Sequence, residues 1–118
     1  MGLKSTMKLT TDKTILEVAN LIWNLQNVCE LQLRIEELKV LHGEYDFKMR
    51  KGVPVNYIFQ ISGAGPEGEK IGIHLKPSVD GTEIKISSKS FLPTDIVAKP
   101  GNNKTNVEEI AGYLKSKL

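Results

Sequence analysis

The chain has 118 residues, with 16 Lys and Arg against 14 Asp and Glu, 40% hydrophobic residues, one Cys and one Trp. That length builds one domain with one core, burying roughly two-thirds of the unfolded surface, and the formal charge of +2 is too small to announce a nucleic-acid or membrane surface. A lone cysteine excludes an internal disulfide framework, and no run approaches the roughly 20 apolar residues of a membrane span, so a single domain over residues 1–118 of an intracellular protein is expected.

Met1 to Thr11 alternates Leu3, Ser5, Met7 and Leu9 with Lys4, Thr6 and Lys8. The pattern fits either a short edge strand or a loose end ordered only by packing, and the second is favoured. A helix is expected next. Asp12 or Thr11 can cap it, or Thr14 with Glu17 three residues on, and Ile15, Val18, Ile22, Leu25 and Cys29 recur at spacings of three and four. The stripe fails at Gln32, but a second, made of Val28, Leu31, Ile35 and Leu38, has already begun. Either one long helix runs from about Asp12 to His42 with a rotated apolar face, or two helices meet near Asn27. No Gly or Pro interrupts the stretch, which favours a long or mildly kinked helix ended by Gly43.

Beyond Gly43 the period becomes two. Tyr45, Phe47 and Met49 form one alternating set, then Val55, Tyr57, Phe59 and Ile61, then Ile71, Ile73 and Leu75, then Thr82, Ile84, Ile86 and Ser88. Lys51-Gly52, Gly63 to Glu69 and Asp80-Gly81 separate them, the last being the strongest hairpin signal because both residues tolerate the positive φ of a type I′ turn. After a loop from Phe91 to Lys104, a final helix is expected from Thr105 or Asn106, with Val107, Ile110, Ala111 and Leu114 as its apolar stripe and acids before bases, as the helix dipole favours. The expected fold is α+β: a four-stranded antiparallel meander covered by a long N-terminal helix, or helix pair, and a C-terminal helix.

Chemical motifs are sparse. Gly63 to Gly68 matches G-x-G-x-x-G, but it leads to a strand rather than a helix and carries Pro66 and Glu67, so it reads as a hairpin loop. His42 stands near Glu44 and Asp46, yet it reads as a histidine at a helix C-terminus rather than a metal ligand. His74 falls on a polar strand face, and Cys29 continues an apolar stripe and reads as a buried, inert thiol. No G-x-S-x-G elbow accompanies Ser87, Ser88 and Ser90. Lys76, Lys85, Lys89, Lys99 and Lys104 make the second half mildly basic, but both arginines lie in the first half, which argues against nucleic acid. No catalytic residue, cofactor or metal ligand is assigned.

The order helix, Leu38-Lys39-Val40-Leu41-His42-Gly43-Glu44, meander, then Asn103-Lys104-Thr105-Asn106 opening a last helix resembles the RWD-like globular heads of kinetochore proteins. That resemblance covers about Leu31 to Leu118 and implies a non-enzymatic, partner-binding domain with no catalytic residue carried over. The functional expectation is therefore a protein–protein interaction module, dimerising or assembling through the first helix, with Val28, Leu31, Ile35 and Leu38 at the interface. The alternative is a small-ligand-binding or weakly enzymatic domain with a cavity between sheet and helices, lined by Val55, Tyr57, Phe59, Ile71 and Ile73.

Overall fold

The alternation of period two at Tyr45 to Met49, Ile71 to Leu75 and Thr82 to Ser88 becomes strand, extended at both ends by one or more residues. The structure, a computed structural model, describes residues 4–51, 69–90 and 101–118. In it β1 (Lys4–Thr11), β2 (Leu33–Leu41), β3 (Glu44–Lys51), β4 (Glu69–Ser78) and β5 (Gly81–Ser90) form one antiparallel sheet in the order β1-β5-β4-β3-β2. Two α-helices, α1 (Ile15–Trp23) and α2 (Gly101–Lys117), accompany it. The α+β class and the antiparallel sheet hold, but the sheet has five strands rather than four. The first helix has nine residues and follows a strand, so it is neither long nor N-terminal. The expected strand Val55 to Ile61, the Phe91 loop and the Gly63 to Gly68 motif lie outside the described residues, apart from the last turns of that loop, which already belong to α2.

The first helix is short for a local reason. Thr14 caps it: its Oγ1 accepts the Glu17 amide at 3.2 Å while Glu17 Oε1 accepts the Thr14 amide at 3.0 Å, the second of the two capping schemes considered above. At the other end Asn24 Nδ2 donates to the Asn20 carbonyl at 2.9 Å, and Asn27 Nδ2 donates to Asn24 Oδ1 at 3.3 Å. Asparagine side chains that bond nearby backbone compete with helical hydrogen bonds, so the chain leaves the α-helix without glycine or proline. Two 3-10 turns follow, Asn24–Asn27 and Cys29–Leu31. Gln32 then takes a left-handed conformation with φ 52° and redirects the chain into β2.

The second apolar stripe belongs to that strand. Leu33 and Ile35 face the core side, Glu36 is skipped by a β-bulge between Ile35 and Glu37, and Leu38 and Val40 return to the same side opposite Phe47 and Tyr45. One inserted residue turns spacings of two into two-three-two, and together with Leu31 the result imitates a helical stripe. His42 and Gly43, with φ 54° and 78°, are the two central residues of the β2–β3 hairpin rather than a helix end. The β4–β5 hairpin forms where expected, but its centre is Val79-Asp80, and Gly81, at φ 155°, is already paired with Ser78.

Both helices lie on one face of the sheet, α1 against β4 and β5 and α2 against β1 and β5. Between them and the sheet sit Val18, Ile22 and Leu25, then Phe47, Met49, Ile71, Ile73, Leu75, Ile84 and Ile86, and the α2 stripe Val107, Ile110, Ala111 and Leu114. Each large aliphatic side chain in that set contributes about 1.5–3 kcal/mol by leaving water. A polar clasp seats the start of α2 at one end of this core. Buried Ser88 donates to Asn103 Oδ1 at 2.7 Å, and Asn106 Nδ2 donates to Glu69 Oε1 at 2.8 Å and to Ser88 Oγ at 3.3 Å. Lys51 closes the same end, its ammonium 2.6 Å from the Leu31 carbonyl oxygen and 3.7 Å from Glu109.

Candidate functional site

The four residues proposed above as a helical interface do not share a helix. Leu31 is buried, Val28 and Ile35 are half-buried against the core, and Leu38 alone reaches the surface, from β2. The strand and its bulge overturn the expected helical seam. Leu38 instead joins Val40 and Leu41, which are 36%, 55% and 68% exposed. These three occupy the hairpin end of β2, an edge strand whose outer side has no paired strand among the described residues. Leu38 and Val40 continue the core face beyond the cover of the helices, whereas Leu41 points to the opposite face. On that opposite face Glu37 lies 3.6 Å from Lys39 on its own strand and 3.5 Å from Lys48 on β3.

The second surface is the face of the sheet opposite the helices. Cross-strand pairing sets its side chains in rows, because residues directly opposite each other share a face. One row reads Lys4, Lys89, Lys70, Arg50, Arg34 across all five strands. The next reads Thr6, Ser87, Gly72, Lys48, Glu37, and the third Lys8, Lys85, His74, Asp46, Lys39. Charge is unevenly divided along them. Outward positions of β1, β5 and β4 carry six lysines and one acid, Glu83. Those of β3 and β2, with the bulged Glu36, carry four cations and four carboxylates. The balanced half is held together by ion pairs, with Arg50 Nε 3.1 Å from Glu36 and Lys48 3.5 Å from Glu37.

His74 lies on this face, as expected. Its Nε2 is 2.7 Å from Glu44 Oε1 and its Nδ1 is 3.9 Å from Asp46 Oδ1, so the histidine that meets those carboxylates is His74, not His42. Ser87 does not complete a hydrolytic set with it, since its hydroxyl donates to the Gly72 carbonyl at 3.4 Å. Among the described residues no group of three or more His, Cys, Asp and Glu is arranged to hold a metal ion. Cys29 is exposed, which corrects the buried thiol expected from its stripe. Ile71 and Ile73, expected to line a ligand cavity, are buried under the helices as core. No helix among the described residues is long and apolar enough to cross a membrane.

The row of cations escaped sequence reasoning because its members, at positions 4, 34, 50, 70 and 89, are far apart in the chain. The signal that could have found it is the outward-facing set of each strand, usable once residues 4–11 and 33–41 are recognised as strands. Leu38-to-Glu44 and Asn103-to-Asn106, the two strings behind the resemblance to RWD-like heads, fall on the β2–β3 hairpin and the first turns of α2. Comparison with family models, curated proteins and solved structures finds no match to this chain.

Proposed function

We propose that this chain is a non-enzymatic assembly module that pairs with a second copy of itself along β2. The observation that carries the reading is the exposure of Leu38 and Val40 on an edge strand whose outer side is unpaired among the described residues. Long edges with apolar side chains invite strand addition unless something blunts them. A second copy fits the charges. With a two-fold axis at Leu38, antiparallel pairing sets Glu37 of each copy opposite Lys39 of the other and brings the two Leu38 side chains together. Opposite charges directly across a ladder contribute roughly 0.2–1 kcal/mol per pair. The apolar faces of the two sheets then lie on the same side, and the two Leu38 side chains give each other the cover that the helices of one copy do not extend to them.

Sedimentation equilibrium tests the reading. The expected result is a dimer at micromolar concentration that becomes a monomer in Leu38→Asp, whose melting temperature matches that of the wild type diluted to the monomer. A wild-type chain that remains monomeric at millimolar concentration overturns it.

A further inference from the structure

We propose that the open face of β1, β5 and β4 is a binding trench for the phosphate backbone of a single nucleic-acid strand. This goes beyond self-association along β2 and stands or falls separately from it, because the trench lies on the other half of the sheet. Its floor is the row Thr6, Ser87, Gly72. One wall is Lys4, Lys89 and Lys70, and the other is Lys8 and Lys85, continued by His74.

The floor is low because its side chains are small: Gly72 has none, and Thr6 and Ser87 present hydroxyls. A depression on one side of it is bordered by Lys4, Lys70, Ser87 and Lys89 with Glu36 and Arg50 at its β2–β3 end, and one on the other side by Gly72, His74, Lys85 and Ser87 with Asp46 at its β3 end. The walls are two rows apart, so their Cα atoms stand about 13 Å from each other along the strands, and the three strands span about 10 Å. That leaves room for one chain between flexible lysines on both sides, over a length of two or three phosphates.

The charges give the reason to expect a polyanion. Like charges directly opposite on a sheet destabilise it. Lys4 stands opposite Lys89, Lys89 opposite Lys70, and Lys8 opposite Lys85. All five lysines are exposed. Among the described residues Lys4, Lys8, Lys85 and Lys89 form no salt bridge, whereas four cations and four carboxylates share the neighbouring half. A phosphate chain relieves this repulsion by displacing the counterions gathered there. A planar anionic membrane suits the face less well, because Glu36, Glu37, Glu44 and Asp46 would be pressed against it. No aromatic side chain projects from the described strands on this face to stack bases, so recognition is of the backbone and independent of sequence.

Fluorescence anisotropy with labelled oligothymidine tests the proposal. Expected are a micromolar Kd at low salt and a log Kd against log salt slope of magnitude about 2, the value for about three phosphates on a single strand. The Lys85→Gln/Lys89→Gln variant should bind about tenfold more weakly with a melting temperature no lower than that of the wild type, because it relieves the repulsion across the ladder, and Lys115→Gln/Lys117→Gln, which removes the same charge from α2, should stay within about twofold. No binding at low salt overturns the trench, as does an equal loss in both variants. Inorganic polyphosphate binding as tightly as the oligonucleotide at matched phosphate overturns the nucleic-acid assignment. Phosphatidylserine vesicles that bind where oligothymidine does not overturn it in favour of a membrane.

Discussion

Leu38 stands directly across the β2–β3 ladder from Phe47, yet Phe47 is 1% exposed and Leu38 36%. The two share one face of one sheet, so the difference comes from the cover and not from the strand. α1 and the following turn reach β4 and the start of β2, and the far end of β2 extends beyond them. Substitution should separate the two sites. Phe47→Ala should cost about 3–5 kcal/mol in chemical denaturation, the range for emptying a buried aromatic site. Leu38→Ala should fall within about 0.5 kcal/mol when measured on the monomer at high dilution.

Gly81, at the start of β5, packs against the end of β1 where the chain turns toward the first helix. A Cβ placed there would fall on the Thr11 carbonyl oxygen and come within 2.7 Å of Asp12 Cα, at a φ of 155° that L side chains rarely adopt. Both the contact and the backbone oppose a side chain. Gly81→Ala should therefore lower unfolding free energy by more than about 2 kcal/mol, read from the urea midpoint. Gly43→Ala should do less, because nothing lies within 4 Å of its Cβ position and the cost is conformational only.

The Thr14–Glu17 capping box contributes a pH dependence. The backbone amide of Thr14, then its hydroxyl, hold the Glu17 carboxyl below the ordinary glutamate range, with Lys13 adding a smaller pull. A carboxyl whose folded pKa is depressed binds protons more readily in the unfolded chain. Its contribution is therefore present above the unfolded value and is lost as pH falls through the folded one. Thermal melts of wild type and Glu17→Gln should differ at neutral pH and converge in acid. A gap that stays constant down to the lowest pH would contradict the assignment.

The Ser88–Asn103–Asn106 clasp should behave as one unit. Ser88→Ala or Asn103→Ala removes a 2.7 Å hydrogen bond between two buried side chains and should cost about 1–3 kcal/mol. The double variant removes both partners at once, so its loss should be smaller than the two losses added together. A double-mutant cycle by denaturation reads this directly, and simple additivity would mean that the 2.7 Å contact carries no coupling.

Three strands, the final helix and its stripe were legible because alternation in Tyr45–Met49, Ile71–Leu75 and Thr82–Ser88, and the three-four spacing of Val107–Leu114, are uninterrupted. The first third was misread for two physical reasons. The β-bulge at Glu36 breaks strand periodicity into a helical imitation, and the Asn24 side chain, bonded to the Asn20 carbonyl and held by Asn27, ends a helix that contains no glycine or proline. Of the candidate surface, Leu38 was named from the sequence on a helix and is found on a strand. The lysine rows depend on register between distant segments, which no local pattern encodes.

Pairing along β2 is tested most directly by mixing charge variants. Lys39→Glu and Glu37→Lys each set like charges opposite one another in a β2–β2 pair with its axis at Leu38, so each should sediment as a monomer. Combined in equal amounts, they restore Glu opposite Lys at both positions. The account predicts a heterodimer in the mixture, read by sedimentation velocity with one variant labelled. A mixture that stays monomeric while the wild type dimerises, or single variants that dimerise as well as the wild type, would contradict it.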